Sequence, residues 1–334
     1  MGIGAKLRRL ALNGIGRAVT PWLKPVDGQT PDPVMSVIAA AGQKLESQVV
    51  RLPAVAARDA YRRSVLQAID TRPSLAIVED LTIGGRASRL YKPSDDSSSP
   101  LLVYYHGGGG VIGDLDTADL ACRSLAEQSR WSVLSIDYRL GPEDPYPAAL
   151  DDAVAGFRAA IDEAARLKVD PRQVAVGGES FGAMLAAQVC RRVRRDGGAP
   201  PVGQLLIYPV CDHGAQTPSR SMFADGYILS QSVIDYFRTR AFAKPSDALD
   251  EWASPLRADD LSELPPALVV TAGLDMLRDE GRAYVERLQA AGVKAELLEF
   301  SGLFHDFGSH VASSSAAKVA WTTLSDRWAS WMRT

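Results

Sequence analysis

Residues 174–185 read "VAVGGESFGAML", which sets Ser180 between an acid and a bulky aromatic, with Gly178 and Gly182 two residues away on either side. A buried strand gains nothing from glycine, which brings no side chain to pack and loses the most chain entropy. A helix start needs only a capping residue. Glycine at both positions instead permits a very sharp strand-to-helix turn, in which the two elements approach closely and the serine hydroxyl faces open space. The apolar run "QVAVGG" before Ser180 reads as a strand, and a helical pattern starts at Phe181. The G-x-S-x-G pentapeptide therefore stands in the setting that a nucleophile elbow requires. A glycine-rich cap or phosphate loop is the competing reading, but residues 174–185 carry neither GxGxxG nor GxxxxGK[ST].

Outward from this turn, strands alternate with helices. The candidate strands are "LAIVEDLTI", "ASRLYKP", "LLVYYHGGG", "SVLSIDYR", "QVAVGGES", "QLLIYPV", "ALVVTAG" and "KAELLEF". Several are short continuous apolar runs, as a sheet covered on both faces requires. Helical segments are expected over 117–129, 148–167, 181–194 and 279–291, the last closed by Gly292. A final helix carries Trp321, Leu324, Trp328 and Trp331 at spacings of three and four, which reads as a core-facing seam. This alternation implies an α/β domain with a central, mostly parallel eight-stranded sheet flanked by helices.

Two regions break the alternation. Residues 1 to about 70 show no strand, and "DPVMSVIAAAGQKL" and "ARDAYRRSVLQAI" have helical spacing. More than fifty residues without a strand separate "QLLIYPVC" from "ALVVTAG", with "QSVIDYFRTRAF" and "ALDEWASPL" expected as helices. The two regions are expected to fold over the sheet as a helical cap. The division is then an N-terminal cap segment 1–72, a first part of the catalytic domain 73–212, a cap insertion 213–252, and a second part 253–334. Ligands of open α/β sheets bind beyond the carboxyl ends of the strands, so chemistry is sought there.

Composition narrows the choices further. The 334 residues are 46% hydrophobic and 23% charged with a net charge of −3, an ordinary soluble balance that gives no reason to expect nucleic acid. The basic run "RRVRR" at 191–195 reads as a solvated helix end, where cations suit the dipole. Cys122, Cys190 and Cys211 are widely spaced, with no CxxC pair, so a metal or redox site is not expected and a reducing, cytoplasmic setting fits. No apolar run reaches the length of a membrane span. The basic N-terminus "MGIGAKLRRLALNGIGRAV" is interrupted by Arg8, Arg9 and Asn13, and Lys6 replaces the Ser or Thr of a myristoylation signal. A surface or cap helix is expected there, with no stable membrane insertion.

The remaining site candidates fall at strand ends. "HGGGGVIG" follows the strand "LLVYY", and its glycines free the backbone to aim N–H groups at one point, as a developing alkoxide needs. The expected acid is Asp275, at the end of "ALVVTAGLD", with Asp212 at the end of "LLIYPVCD" as the alternative. Asp279 and Glu280 fit the first turn of the next helix, where the dipole favours acids. Of the four histidines, His106 belongs to the glycine loop, His213 falls in the cap insertion, and His310 lies on or just before the last helix. His305, in "SGLFHDF", is the expected base. The order Ser180, Asp275, His305 is the one this architecture uses.

Together these features resemble the hormone-sensitive-lipase-like family of α/β-hydrolase carboxylesterases (bacterial family IV). The likeness covers about residues 75–334. "HGGGG" matches the family's HGGG motif, "DYRLGPEDPYPAALDDA" is similar to its DYRLAPE…PAALDD segment, and "SPLRADDLSELPPALVVTAGLDMLRDEG" is similar to the pattern around its acid. The resemblance implies an α/β-hydrolase fold with an N-terminal helical cap, no cofactor, and hydrolysis of short- to medium-chain acyl esters. It also implies an oxyanion hole from the backbone N–H groups of Gly108, Gly109 and Phe181, with His106, Gly107 and Glu179 in support. Residues 137–143 would be structural, and a homodimer is compatible with the likeness.

This sequence departs from the family at three points. GESFGA stands where the family usually has GDSAGG, so the Phe181 side chain is expected to reshape or narrow the pocket. Glu179 is one methylene longer than the usual acid and is expected to find a different partner. Asp306 stands where glycine is usual and is expected to perturb His305. The resulting expectation is a serine carboxylesterase acting on a small-molecule ester through a Ser180–His305–Asp275 triad and an acyl-enzyme. The rivals are an amide hydrolase with the same triad and a small-molecule receptor on a hydrolase scaffold.

Overall fold

The computed structural model describes residue 14 and residues 25–69, 72–96 and 98–332. The basic N-terminal stretch, expected as a surface or cap helix, lies almost wholly outside the described residues. Two helices precede the sheet, α1 (Pro33–Val49) and α2 (Ala54–Ala68). The strands are β1 (Ile77–Ile83), β2 (Arg86–Lys92), β3 (Ser99–Tyr105), β4 (Ser132–Ile136), β5 (Val169–Glu179), β6 (Gln204–Ile207), β7 (Ala267–Leu274) and β8 (Ala295–Phe304). Each matches one of the runs picked out by composition. They form one sheet in the order β1-β2-β4-β3-β5-β6-β7-β8, antiparallel from β1 through β4 and parallel from β4 to β8. β3, β4, β6 and β7 are buried almost throughout, as their unbroken apolar runs require of a doubly covered sheet.

The crossovers explain where the site must lie. From β3 the chain passes through α3 (Asp119–Ser129) to β4 on one side, then through α4 (Ala148–Asp162) and α5 (Ala164–Leu167) back across β3 to β5. Right-handed crossovers in opposite directions place α3 and α4 on opposite faces. The helix α6 (Phe181–Arg195) joins α4 on its face, and α9 (Arg278–Ala290) follows in the same sense after β7. The last helix, α10 (Ser315–Trp331), packs on α3. Trp321, Leu324, Trp328 and Trp331 are all buried in that seam. The reversal between β3 and β5 opens a crevice at their carboxyl ends. The glycine loop leaves β3 there and Ser180 leaves β5 there.

The insertion holds α7 (Pro218–Met222) and α8 (Gln231–Ala241), each opened by a side-chain cap, from Thr217 and Ser230. Three expectations need correction. The helix over 148–167 breaks at Glu163, which leaves helical dihedrals (φ −99°, ψ 13°), so that Ala164 and Leu167 turn inward to buried positions. The segment "ALDEWASPL" is not an α-helix but two short 3₁₀ turns, Pro245–Leu249 and Pro255–Arg257. There the Asp250 carboxylate accepts the Trp252 N–H at 2.7 Å and the Ser254 hydroxyl donates to the Ala248 carbonyl at 2.8 Å, bonds that offer the backbone an alternative to helix. The arginine run is a solvated end only in part, with Arg195 exposed and Arg192 and Arg194 half-buried. Arg191 is buried, pairs with Glu251 at 2.6 Å, and lies 4.3 Å from the Trp252 ring, which Arg195 also approaches at 4.9 Å.

All three cysteines are buried and unpaired. Among the described residues no helix is long and apolar enough to cross a membrane.

Candidate active site

Ser180 is the pivot between β5 and α6, with φ 54° and ψ −119°. A non-glycine residue with positive φ carries strain of about 1–3 kcal/mol, tolerated where the surroundings over-determine it. They do so here because β3 and β5 pair with Tyr105 opposite Gly178, which presses the first turn of α6 against the end of β3. A Cβ on Gly182 would lie well under 3.0 Å from the Tyr105 and His106 carbonyl oxygens. Only glycine lets the helix start that close.

The loop after β7 brings Asp275 and the loop after β8 brings His305 to the same place. His305 Nδ1 lies 2.7 Å from Asp275 Oδ2, and His305 Nε2 lies 3.0 Å from Ser180 Oγ. Asp275 is buried, and its Oδ1 accepts the Leu277 N–H at 2.9 Å. An Nδ1–H donated to Asp275 leaves Nε2 free to accept the serine proton. Burial disfavours the His305 cation, but Asp275, with Asp306 and Glu179 nearby, outweighs it and holds the imidazole pKa above its ordinary value. The alternative acid, Asp212, turns away to Gly214 N and Arg257 Nε, each at 2.8 Å. Glu280 proves to be more than a helix-start acid. Fully buried, it accepts the Cys211 and Asp212 N–H groups and the Arg220 guanidinium at 2.7–3.0 Å, tying the start of the insertion to α9.

Gly108, Gly109 and Phe181 line the same cavity as Ser180. His106 stacks on Tyr138 with centroids 4.3 Å apart, and its Nδ1 is 2.7 Å from the Gly107 carbonyl. Burial keeps His106 below its ordinary pKa, in keeping with a structural imidazole. From the segment 137–143, Gly141 N–H donates to Gly110 O at 2.8 Å, which buttresses the loop. Arg58 of α2 reaches across to the Val111 and Gly141 carbonyls at 2.8 and 2.7 Å and to Glu143. It ties an N-terminal helix directly to the glycine loop, and nothing in "ARDAYRR" singles it out.

Each departure from the family motifs has a place. The Phe181 ring is buried against Gly110, where a Cβ would meet its Cζ at 2.7 Å. The fourth glycine of "HGGGG" therefore makes the room that the bulky elbow residue needs. Glu179 is paired with the Tyr208 hydroxyl at 2.7 Å. Burial raises its carboxyl pKa, while hydrogen bonds from Tyr208 and Gly107 pull against that rise. Asp306 occupies the left-handed region at φ 59°, accepts the Ser309 hydroxyl at 2.6 Å, and is raised by burial and by Glu179. Tyr208, whose ring lies 4.7 Å from that of His305, was concealed in the sequence as one more residue of an apolar strand.

A cavity of about 300 Å³ opens over Ser180. Its roof comes from both irregular regions: Ile38, Val50, Tyr61 and Val65 from the N-terminal helices and the turn between them, and Ile228, Leu229, Val233 and Phe237 from the insertion. The walls are mostly apolar, with Ser180, His305 and Glu179 at one place and His213, Arg220 and Arg238 among the lining residues of the insertion. A largely apolar pocket with a few placed polar groups suits a small organic substrate. Among the described residues no group of three or more His, Cys, Asp or Glu side chains is arranged to hold a metal ion.

Residues 102–309 match the family model described as the alpha/beta hydrolase fold. The chain is 40% identical over 319 residues to the carboxylic ester hydrolase LipN of Mycobacterium tuberculosis, an alignment spanning 88% of this chain and 84% of that one. It is 37% identical to the ethyl acetate hydrolase of Pseudomonas putida over 66% of this chain and 70% of the relative. Among solved structures, the hyperthermophilic esterase from Pyrobaculum calidifontis superposes with a TM-score of 0.85 at 36% identity, covering 90% of this chain and 98% of that one. The chain belongs to the α/β-hydrolase fold family, in its hormone-sensitive-lipase-like branch.

Proposed function

We propose that this protein is a serine carboxylesterase that hydrolyses short- to medium-chain acyl esters through an acyl-enzyme. The observation that carries the reading is the hydrogen-bonded series Ser180–His305–Asp275 at the floor of a mostly apolar cavity. The names of the relatives support the ester as substrate. In the proposed mechanism His305 takes the Ser180 proton as Oγ attacks the ester carbonyl, and Asp275 orients the imidazole and stabilises its cation. The backbone N–H groups of Gly108, Gly109 and Phe181 accommodate the oxyanion, with His106, Gly107 and Glu179 holding the loop and elbow. His305 then protonates the leaving alcohol and activates water to release the acid.

In this reading the described residues of the segment 1–72 and the insertion 213–252 serve as the cap that shapes the pocket, since lining residues come from both. Buried, unpaired Cys122, Cys190 and Cys211 suit a cytoplasmic setting. The test is hydrolysis of p-nitrophenyl esters from acetyl to dodecanoyl, alongside an ester and its isosteric amide. Cleavage of the shorter esters ahead of the amide is expected. Preference for the amide, or no turnover of any ester, rejects the reading.

Two further results are expected. Phe181→Ala removes a buried ring from the cavity wall, so the chain-length optimum shifts to longer acyl groups, at a stability cost of about 3 kcal/mol. An unchanged chain-length profile would mean that the ring does not limit the pocket. The second concerns pH. His305 works as a base only when neutral, and its neighbouring carboxylates raise its pKa, so the acid limb of kcat/KM lies above the ordinary imidazole range. Asp306→Gly removes one of those anions at a backbone position glycine accepts, and the acid limb moves to lower pH. A pH–rate profile with its acid limb unmoved contradicts this role for Asp306.

A further inference from the structure

His213 opens the cap insertion, two residues beyond Cys211, and forms part of the cavity wall. Its ring packs edge-on to Phe242 at 4.9 Å and lies 6.2 Å from Phe181, so it sits in an otherwise aromatic stretch. The side chain is more than nine-tenths buried, and Nε2 has no hydrogen-bond partner among the described residues. A buried polar atom without a partner is unfavourable and uncommon. The polar groups around it are already engaged. Arg220 is bound to Glu280, Arg238 to Asp235, and Asp212 to Arg257. Burial, with Arg220 and Arg238 adding to it, pushes the His213 pKa down to about 3. The ring is therefore neutral at working pH, with one nitrogen that donates and one that accepts.

The location selects one half of the substrate. His305 must reach the leaving alcohol oxygen, and Asp306, Ser309 and His310 line the cavity from its own loop. The leaving group belongs on that flank. His213 meets the cavity from the Phe181 flank instead, the side that a leaving group held at His305 leaves for the acyl chain.

Resting on the esterase reading above, we propose that His213 is a specificity residue that hydrogen-bonds an oxygen substituent on the acyl chain, and so favours esters of hydroxy or oxo acids over their hydrocarbon counterparts. A hydroxyl can donate to one neutral imidazole nitrogen or accept from the other, and a carbonyl accepts from the protonated one. A site that offers a buried hydrogen-bonding group discriminates against an analogue that leaves the group unpaired.

The test compares isosteres. Ethyl 3-hydroxybutyrate and ethyl 3-methylbutyrate differ by hydroxyl for methyl in the acyl half. 2-Hydroxyethyl butyrate and propyl butyrate make the same exchange in the alcohol half. With the wild type, the hydroxy member is expected to have the higher kcat/KM in the acyl pair only. His213→Leu is expected to lower the acyl-pair ratio about five- to tenfold while leaving the alcohol-pair ratio near wild type. His213→Asn, which keeps a donor and an acceptor, retains part of the preference. A wild-type preference for the methyl ester in the acyl pair overturns the proposal, even if the variants fail to fold. So does a ratio indifferent to His213→Leu, or a preference confined to the alcohol pair. If the wild type cleaves none of the four esters, the esterase reading itself has failed.

Discussion

Ser180→Ala is expected to lower kcat on p-nitrophenyl esters by about three to six orders of magnitude while leaving the thermal midpoint close to wild type. The size of the effect follows from what the hydroxyl does in the proposed mechanism. With no Oγ there is no acyl-enzyme, and His305 and Asp275 are left with nothing to activate in the first step. The residual rate comes from binding and the oxyanion-stabilising N–H groups acting on attack by water. Stability should hardly change. Alanine accepts φ 54° no better and no worse than serine does, and the backbone bond from Ser180 N–H to Ile207 O at 2.9 Å is untouched. Residual activity above about a tenth of wild type would remove Ser180 from the mechanism and point to another nucleophile. A large fall in thermal midpoint would mean that the loss reports unfolding.

The second large effect is on the fold. Gly182→Ala is expected to destabilise the protein by about 3 kcal/mol or more, a large share of the roughly 5–15 kcal/mol that holds a domain together. The added methyl would be driven into the Tyr105 and His106 carbonyl oxygens. These atoms belong to the last residue of a central strand and the first of the glycine loop, so no side-chain rotation relieves the overlap. Either α6 moves off β3 and carries Ser180 with it, or β3 shifts and the loop at Gly108 and Gly109 loses its aim. Both routes lower kcat/KM along with the urea midpoint. A variant with wild-type midpoint and wild-type kcat/KM would show that the elbow has slack there.

These two experiments address features that differ in how plainly the sequence announces them. The elbow is a local matter. Apolar run, two glycines, serine and helical run are contiguous, and the steric needs of a sharp turn are written in residues 174–185 themselves. Strands β3, β4, β6 and β7 are legible for a similar reason, since a strand buried on both faces must be apolar at nearly every position. The cap was legible mainly as a break in the alternation, and its detail was not. "ALDEWASPL" carries helical spacing, yet Asp250 and Ser254 satisfy nearby backbone groups and divert it into 3₁₀ turns. The arginines at 191–195 look like a hydrated helix end until Trp252, more than fifty residues later, is folded against them.

The sequence by itself determined the order of elements, the sharp turn at Ser180, the glycine loop after β3, and a short roster of acids and histidines at strand ends. Each follows from interactions among residues a few positions apart, where chain geometry and side-chain size leave few choices. Only the tertiary structure decided which members of that roster meet. Asp275 faces His305 while Asp212 is held by Arg257, Phe181 finds its space over Gly110, and His213 joins the cavity wall instead of the surface. Those outcomes depend on strand order and on where the N-terminal helices and the insertion pack. They bring together residues far apart in the chain, and no local pattern records which of them will touch.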